Sequence, residues 1–229
     1  MKQVSFVIPL KDESALLSTN IKILIEYLAT IHLDYEIILV ENGSSDNTWQ
    51  IANELATDND KIQALSLDKP LFGQAIKEGL LVVKYDAIVL SIDLSMGLDF
   101  IERSATLLQN YDVVNGSRFL QKGDYQRSLL RKLFSSIYHP LASVLFGLNF
   151  TDYDGIKAIR KNIAHELGRA CVSKHNFFFT EMLIIATRKQ YSIIEIPIIH
   201  VDNRKSRFNI TKLIFHQVYE LVRVYFRSH

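Results

Sequence analysis

Residues 35–48 read YEIILVENGSSDNT, from Tyr35 to Thr48. The apolar run Ile37–Val40 stops at a carboxylate, Glu41, and passes through Asn42, Gly43 and two serines into Asp46-Asn47-Thr48. A short apolar run rich in branched side chains suits a strand buried on both faces. Gly43 suits a turn, and Asp46 or Asn47 suits the N-cap of a helix beginning at Thr48. The segment reads as strand, polar turn and helix. The same unit recurs on either side. Val4–Ile8 precedes a helical spacing of Leu16, Leu17, Ile21, Leu24, Ile25 and Leu28 within Ser14–Ile31. Lys61–Leu67 precedes a helix over Gln74–Val83, and Ala87–Ser91 precedes one over Asp99–Gln109. Asp112–Asn115 is a fifth strand. Strands alternating with helices predict an α/β fold, a mixed but mostly parallel sheet flanked by helices.

The second half is less regular. Leu129–Leu148 is a long apolar stretch broken by Pro140. Gly155–Ile159 and Ile193–Ile199 read as strands, and Asn162–Ala170 and Glu181–Lys189 as helices. From Ile210 the spacing is helical again, with Ile210, Leu213, Ile214, Val218, Leu221 and Tyr225 on one side. Lys212, His216, Arg223 and Arg227 form a basic stripe on that amphipathic helix. Trp49 is expected in the core, and Cys171 as a small packed residue.

Composition narrows the function. The 229 residues are 48% hydrophobic and 22% charged, which excludes a disordered tail or a charged linker. A single cysteine forms no internal disulfide and favours a reducing compartment. No stretch reaches the ~18 apolar residues of a membrane span. The N-terminal Val4–Leu10 contains Pro9 and runs into Lys11, Asp12 and Glu13, unlike a signal peptide. The expectation is a cytoplasmic protein, in peripheral contact with the inner face of a membrane. The net charge is +1, yet basic residues gather late. Arg118, Lys122, Arg127, Arg131 and Lys132 face Asp124 alone in their segment, which points to an anionic partner. No nucleic-acid-binding module is recognisable, and no nucleic-acid partner is expected. The histidines lack zinc-ligand spacing.

In parallel sheets ligands sit at the carboxyl ends of the strands. Glu41 and Asp93 end neighbouring strand-like runs, and two carboxylates so placed can hold ribose hydroxyls or a divalent metal. Helix capping is the competing role, and it suits Asp46. A glycine-rich dinucleotide fingerprint is absent after the first strand, where Pro9 stands, and no GxxxxGK[ST] loop occurs.

The ordered motifs resemble a family 2 glycosyltransferase with the GT-A fold. Val7-Ile8-Pro9 with Glu13, then Val40-Glu41-Asn42-Gly43-Ser44-Ser45-Asp46-Asn47-Thr48, is similar to that family's V-I-P-x-x-N-E and V-D-D-G-S-x-D-x-T. Gly73, Ala75 and Gly79 fit its small-residue helix, and Ser91-Ile92-Asp93-Leu94-Ser95 resembles its D-A-D-L-S. Gly116-Ser117-Arg118-Phe119, Asp152–Arg160, Phe179–Leu183 and Glu195–Ile198 resemble its later motifs. The polyprenyl-phosphate sugar transferases, such as dolichol-phosphate mannose synthase, are the most similar subgroup.

The resemblance implies a GT-A-like, Rossmann-type domain over residues 1–209. Residues 1–115 would be the nucleotide-sugar half, 116–209 the acceptor half, and 210–229 a basic amphipathic helix. It implies sugar transfer from a nucleoside-diphosphate sugar to a polyprenyl phosphate or glycan, with inversion. Pro9, Glu13, Glu41, Asn42, Gly43, Asp46, Gly73, Ser91, Ile92 and Asp93 would form or support the donor pocket. Asp93 would hold Mg²⁺ or Mn²⁺. Arg118 would face the reacting phosphates, with Asp152 and Glu181 as the remaining catalytic candidates. Arg127, Arg131 and Arg204 would meet the acceptor. An acceptor phosphate needs little help from a base, whereas a sugar hydroxyl needs Asp152 or Glu181 in that role. Departures from the pattern are Ser91 for the first metal-loop aspartate, Asn42 for the second aspartate of the strand-two motif, and Asp12 for an asparagine. Met96-Gly97-Leu98 lacks the usual proline, and Lys205–Asn209 lacks the usual ending. They leave open an alternative, a catalytically weak relative that binds nucleotide sugar or lipid as an interaction module.

Overall fold

The computed structural model describes residues 3–120, 129–199 and 210–227, with the side chains of 129–137, 210–216 and 227 outside that description. Strand β1 (Gln3–Leu10) lies between β2 (Asp34–Asn42) and β4 (Asp86–Val89), parallel to both. Strand β3 (Ile62–Leu67) extends the β2 side, also parallel. On the other side β6 (Lys157–Ile159) inserts antiparallel between β4 and β5 (Val113–Ser117). Strand β7 (Ile193–Pro197) closes that edge parallel to β5. The order is β3-β2-β1-β4-β6-β5-β7.

The period-two alternation of the central strands feeds two cores. Phe6, Ile8 and Leu10 of β1, with Ile37 and Leu39 of β2, face α1 (Leu17–Thr30), α2 (Thr48–Asp58) and α4 (Asp99–Leu107). Val7, Ile38 and Val40 face α3 (Phe72–Val82), α6 (Lys161–Ala170) and α7 (Phe178–Arg188). Burial on both faces is why Ile37–Val40 carries no polar residue. A third cluster joins α5 (Leu129–Phe146), α7 and α8 (Ile210–Arg227) through Tyr138, Phe146, Phe177, Leu183, Leu221 and Val224.

Three local expectations need correction. Helix α1 starts at Leu17 rather than Ser14, because the amides of Leu16 and Leu17 first close a turn on the Glu13 carbonyl. Trp49 is 39% exposed rather than core, since α2 buries only Thr48 and Ala52 and Trp49 lies about 100° round from Thr48. Pro140 does not interrupt α5. It sits on the exposed side, where water can replace the lost amide at the preceding turn.

Candidate functional site

Parallel pairing has a direct consequence for the site. Strands β1, β2, β3, β4, β5 and β7 all end at one edge, and the segment leading into β6 begins there. The loops quoted from the sequence meet at that edge.

After Pro9, which stands in β1 opposite Val40, the chain turns at Asp12 with φ 52°. Asp12 Oδ1 accepts the amide of Ser45 at 2.7 Å and its hydroxyl at 3.1 Å. The Ser45 amide is the main reason the Asp12 carboxyl lies below its usual pKa. The Glu13 amide donates to Thr48 Oγ1 at 2.8 Å. Asp46 Oδ2 accepts the amide and hydroxyl of Ser14 at 3.2 and 2.6 Å, and its Oδ1 accepts the amide and hydroxyl of Thr48. Burial works to raise the Asp46 pKa, but these donors bring it down to about 2. Asp46 therefore staples the β1 loop to the start of α2 from the position before the N-cap Asn47, whose own side chain makes no cap hydrogen bond.

Glu41 is 4% exposed, and its carboxylate accepts the Ser44 amide and the Ser66 hydroxyl. Asn42 Oδ1 accepts the Leu71 amide. Gly43 has φ +62°, and a Cβ there would lie 3.0 Å from main-chain atoms of Lys69 and Pro70. No larger residue fits that turn without strain. These three residues make a rigid shelf from the 41–44 turn and the 66–71 segment. Gly73 is buried where α3 meets the α6–α7 connection. Its amide donates to the Lys174 carbonyl at 2.9 Å, and a Cβ would sit 2.6 Å from the His175 carbonyl oxygen.

The β4 end is tied differently. Ile92 is buried and its carbonyl accepts Asn20 Nδ2 of α1 at 2.9 Å. The Ser91 carbonyl accepts the Leu94 amide, and Asp93 Oδ1 accepts the Ser95 amide at 3.1 Å. The turn thus places a half-buried Asp93 on a backbone anchored from both sides.

Across the sheet edge, Arg118 follows β5 and forms a two-pronged pair with Asp152. Its Nε and Nη2 donate to Asp152 Oδ2 and Oδ1 at 2.7 and 2.8 Å, and its amide donates to Oδ2 at 3.1 Å. Asp152 is 2% exposed and the Arg118 side chain 18% exposed. Burial pushes the Asp152 pKa up, but the Arg118 bonds and charge hold it below the usual carboxylate range. Asp152 is thus a buried, ionised counter-ion and a poor base. Glu181, on the first turn of α7, is 4% exposed, and its Oε2 accepts the amides of Val172 and Ser173 at 2.9 and 2.7 Å. Arg127 and Arg204 lie outside the described residues; Arg131 falls in α5, with its side chain outside the description.

A metal would find a limited donor set. Among the described residues no three His, Cys, Asp or Glu side chains form a group able to hold an ion. Mg²⁺ commonly keeps waters and uses one or two carboxylates together with substrate phosphates. Asp93 fits that mode and the site does not fit a protein-only cage.

Three structuring residues carry no assigned role in the sequence reading, although Lys157 and Glu195 lie within its quoted motifs. Glu195 on β7 accepts the amides of Thr151 and Asp152, Asn115 bridges to both sides of that contact, and Lys157 is wholly buried. Their signal was a polar residue next to apolar ones in each of three short strands.

Comparison with known proteins agrees with this geometry. The family model "Glycosyl transferase family 2" matches residues 5–168. Glycosyltransferase AglD of Haloferax volcanii is 27% identical over 86% of this chain and 32% of its own length. The undecaprenyl-phosphate 4-deoxy-4-formamido-L-arabinose transferase of Pectobacterium atrosepticum is 31% identical over 93% of this chain and 65% of its own. The chain thus spans from about a third to about two thirds of the length of these relatives. Glucosyl-3-phosphoglycerate synthase from Mycobacterium tuberculosis, solved with uridine diphosphate, superposes with a TM-score of 0.68 at 16% identity. That match covers 97% of this chain and 79% of the other, and at such identity it bears on the fold alone.

Proposed function

This chain belongs to glycosyl transferase family 2, and from that premise we propose that it transfers a sugar from a nucleoside-diphosphate sugar to a polyprenyl phosphate. The observation that carries the reading is the shared edge of Asp93 and the Arg118–Asp152 pair. A carboxylate able to share a cation with a diphosphate and an arginine able to neutralise it follow strands that end at the same edge of the sheet. We assign residues 1–115 to the donor and 116–209 to the acceptor.

The choice of a phosphate over a sugar hydroxyl follows from the two candidate bases. Both Asp152 oxygens are engaged by Arg118, and Glu181 is directed at main-chain amides. A hydroxyl acceptor needs a base, and an ionised phosphate does not. In the transfer an acceptor oxygen bonds to the anomeric carbon as the bond to the diphosphate breaks, with inversion. Arg118 would hold the departing diphosphate, Glu13 and the 41–46 shelf would carry the nucleoside, and Asp93 would share Mg²⁺ or Mn²⁺ with the phosphates. When bound, the ion supplies charge neutralisation on the leaving group. The relatives named for undecaprenyl phosphate support this acceptor class.

Calorimetric titration with UDP, GDP, CDP and dTDP, each with and without Mn²⁺, tests the donor half. One nucleotide is expected to bind, and only with metal. Silence from all four would sink the transferase reading in favour of a binding module without donor chemistry.

Peripheral membrane contact belongs to the same proposal. No helix among the described residues is long and apolar enough to cross a membrane. Helix α8 buries Gln217, Glu220, Leu221 and Val224 but leaves Tyr219 63% and Phe226 74% exposed, beside Arg223. An exposed aromatic and basic face suits a bilayer interface. Tyr219→Ser with Phe226→Ser is expected to reduce pelleting with phosphatidylglycerol vesicles severalfold; unchanged pelleting would remove α8 from the contact.

A further inference from the structure

Lys157 is 0% exposed, in the middle of the sheet, opposite Val89 and Asn115. Its ammonium donates to the main-chain carbonyls of Tyr153 and Gly155 at 3.1 and 2.6 Å. It also lies 4.8 Å from the centroid of the Phe179 ring on α7. Its hydrogen-bond partners are carbonyls, not carboxylates. A buried cation so held is expensive for a fold, and an apolar side chain would fill the strand at lower cost.

What the ammonium grips is informative. The two carbonyls flank Asp154, in the turn that carries Asp152. From the opposite side Glu195 accepts the amides of Thr151 and Asp152 at 2.9 and 3.0 Å. Asn115 Nδ2 bridges Glu195 and the Asp152 carbonyl, both at 2.9 Å, while its buried Oδ1 has no partner among the described residues. The turn also presses on the strand that leads to Arg118, since a Cβ on Gly155 would fall 1.7 Å from the Gly116 carbonyl oxygen. The turn is thus held by a cation through its carbonyls and by an anion through its amides. Its outward contacts include the Thr151 hydroxyl on Ser117 and the two-pronged grip on Arg118.

We propose that Lys157 is a positioning residue for sugar transfer: its ammonium, clamped on the Tyr153 and Gly155 carbonyls, sets the turn from which Asp152 aims Arg118 at the donor diphosphate. This rests on the function proposed above. Charge strengthens the two bonds of the clamp, and burial lowers the Lys157 pKa from 10.5 to about 8. Asp152 and Asp154 on the turn and Glu195 on β7 oppose that shift, and Arg118 reinforces it. Because the native pKa lies below the unfolded value, the native state sheds its proton first. Stability therefore rises with pH from about 8 to about 10.5, while the neutral amine keeps two N–H donors for the two carbonyls and loses their charge assistance.

The test is a double-mutant cycle on binding of inorganic pyrophosphate with Mg²⁺, read by calorimetry on Lys157→Met, Arg118→Gln and the double variant. Each single change is expected to weaken binding about tenfold or more, the worth of a charge-assisted contact. The double variant should be no weaker than Arg118→Gln alone, and Lys157→Met should melt no lower than the parent. Parent-like affinity in Lys157→Met, or additive losses in the double variant, overturns the positioning role. Parent-like affinity in Arg118→Gln overturns the function beneath it instead. Should Lys157→Met not fold, Lys157→Gln enters the same cycle.

Discussion

Arg118→Ala is expected to cost about 3–5 kcal/mol of stability, because removing one partner of a buried pair leaves the other charge uncompensated. In a domain of this size that lowers the melting temperature by on the order of 10 °C. Asp152 is 2% exposed and takes three hydrogen bonds from Arg118. The pH dependence makes the expectation sharper. In the parent the Asp152 pKa is depressed, so its contribution is present above its unfolded pKa of 3.8 and fades as pH falls through the lower native value. Without the Arg118 side chain, burial is opposed only by the position-118 amide and the Lys157 charge, and the pKa is expected to rise above the unfolded value. The variant should then recover stability relative to the parent as pH falls from 7 toward 5. Arg118→Ala combined with Asp152→Asn should restore much of the loss at pH 7. Thermal unfolding of the four proteins at pH 5 and 7 checks this. A drop under about 2 °C at pH 7, or a deficit that does not shrink at pH 5, would show that the pair contributes little. Activity should fall by about 10²–10³, the usual worth of a group that stabilises developing charge.

The same pair shows where sequence reasoning stops. Strands β1 to β5 are legible because their side chains face two apolar layers, which leaves uninterrupted runs such as Ile37–Val40. The antiparallel insertion of β6 is not legible, since a run of side chains carries no strand direction. Trp49 was misplaced because one position on a helix turns a side chain by about 100°, and a single aromatic residue does not fix the buried face. At the strand ends, polar residues were read as pocket lining. Asp46, Glu41 and Asn42 also spend hydrogen bonds on joining loops, as does Asp12. The residue types for holding a ligand and for closing a turn are the same, so only geometry separates them. The quoted motif over Asp152–Arg160 includes Lys157 but not its burial, which depends on β6 lying between β4 and β5 in the sheet interior.

Asp93→Ala should abolish metal-dependent binding of a nucleoside diphosphate, a loss of about 100-fold or more, which corresponds to roughly 2.7 kcal/mol. The size follows from the poverty of the site. Where several carboxylates share an ion, losing one leaves the rest; here no group of three potential ligands stands among the described residues. The ion would depend on Asp93 and the substrate's own oxygens, so removing Asp93 removes the protein's anionic hold. Ser91 makes the converse prediction. It lies two residues away in a turn anchored through Ile92 to Asn20, so Ser91→Asp adds a second carboxylate to a backbone that is already fixed. Hard divalent ions gain affinity with each added carboxylate. Ser91→Asp is therefore expected to tighten Mn²⁺ binding about tenfold in the presence of the nucleotide. Isothermal titration of Mn²⁺ into parent and variant proteins, each saturated with the best nucleotide, reads both effects. Parent-like Mn²⁺ affinity in Asp93→Ala would move the ion elsewhere. A Ser91→Asp variant that binds no more tightly would mean that the 91–93 turn does not direct the two side chains at one ion. If Ser91→Asp raises metal affinity and transfer rate together, metal binding limits the parent. If affinity rises and the rate does not, the serine is a tolerated replacement and the chemistry is limited at Arg118.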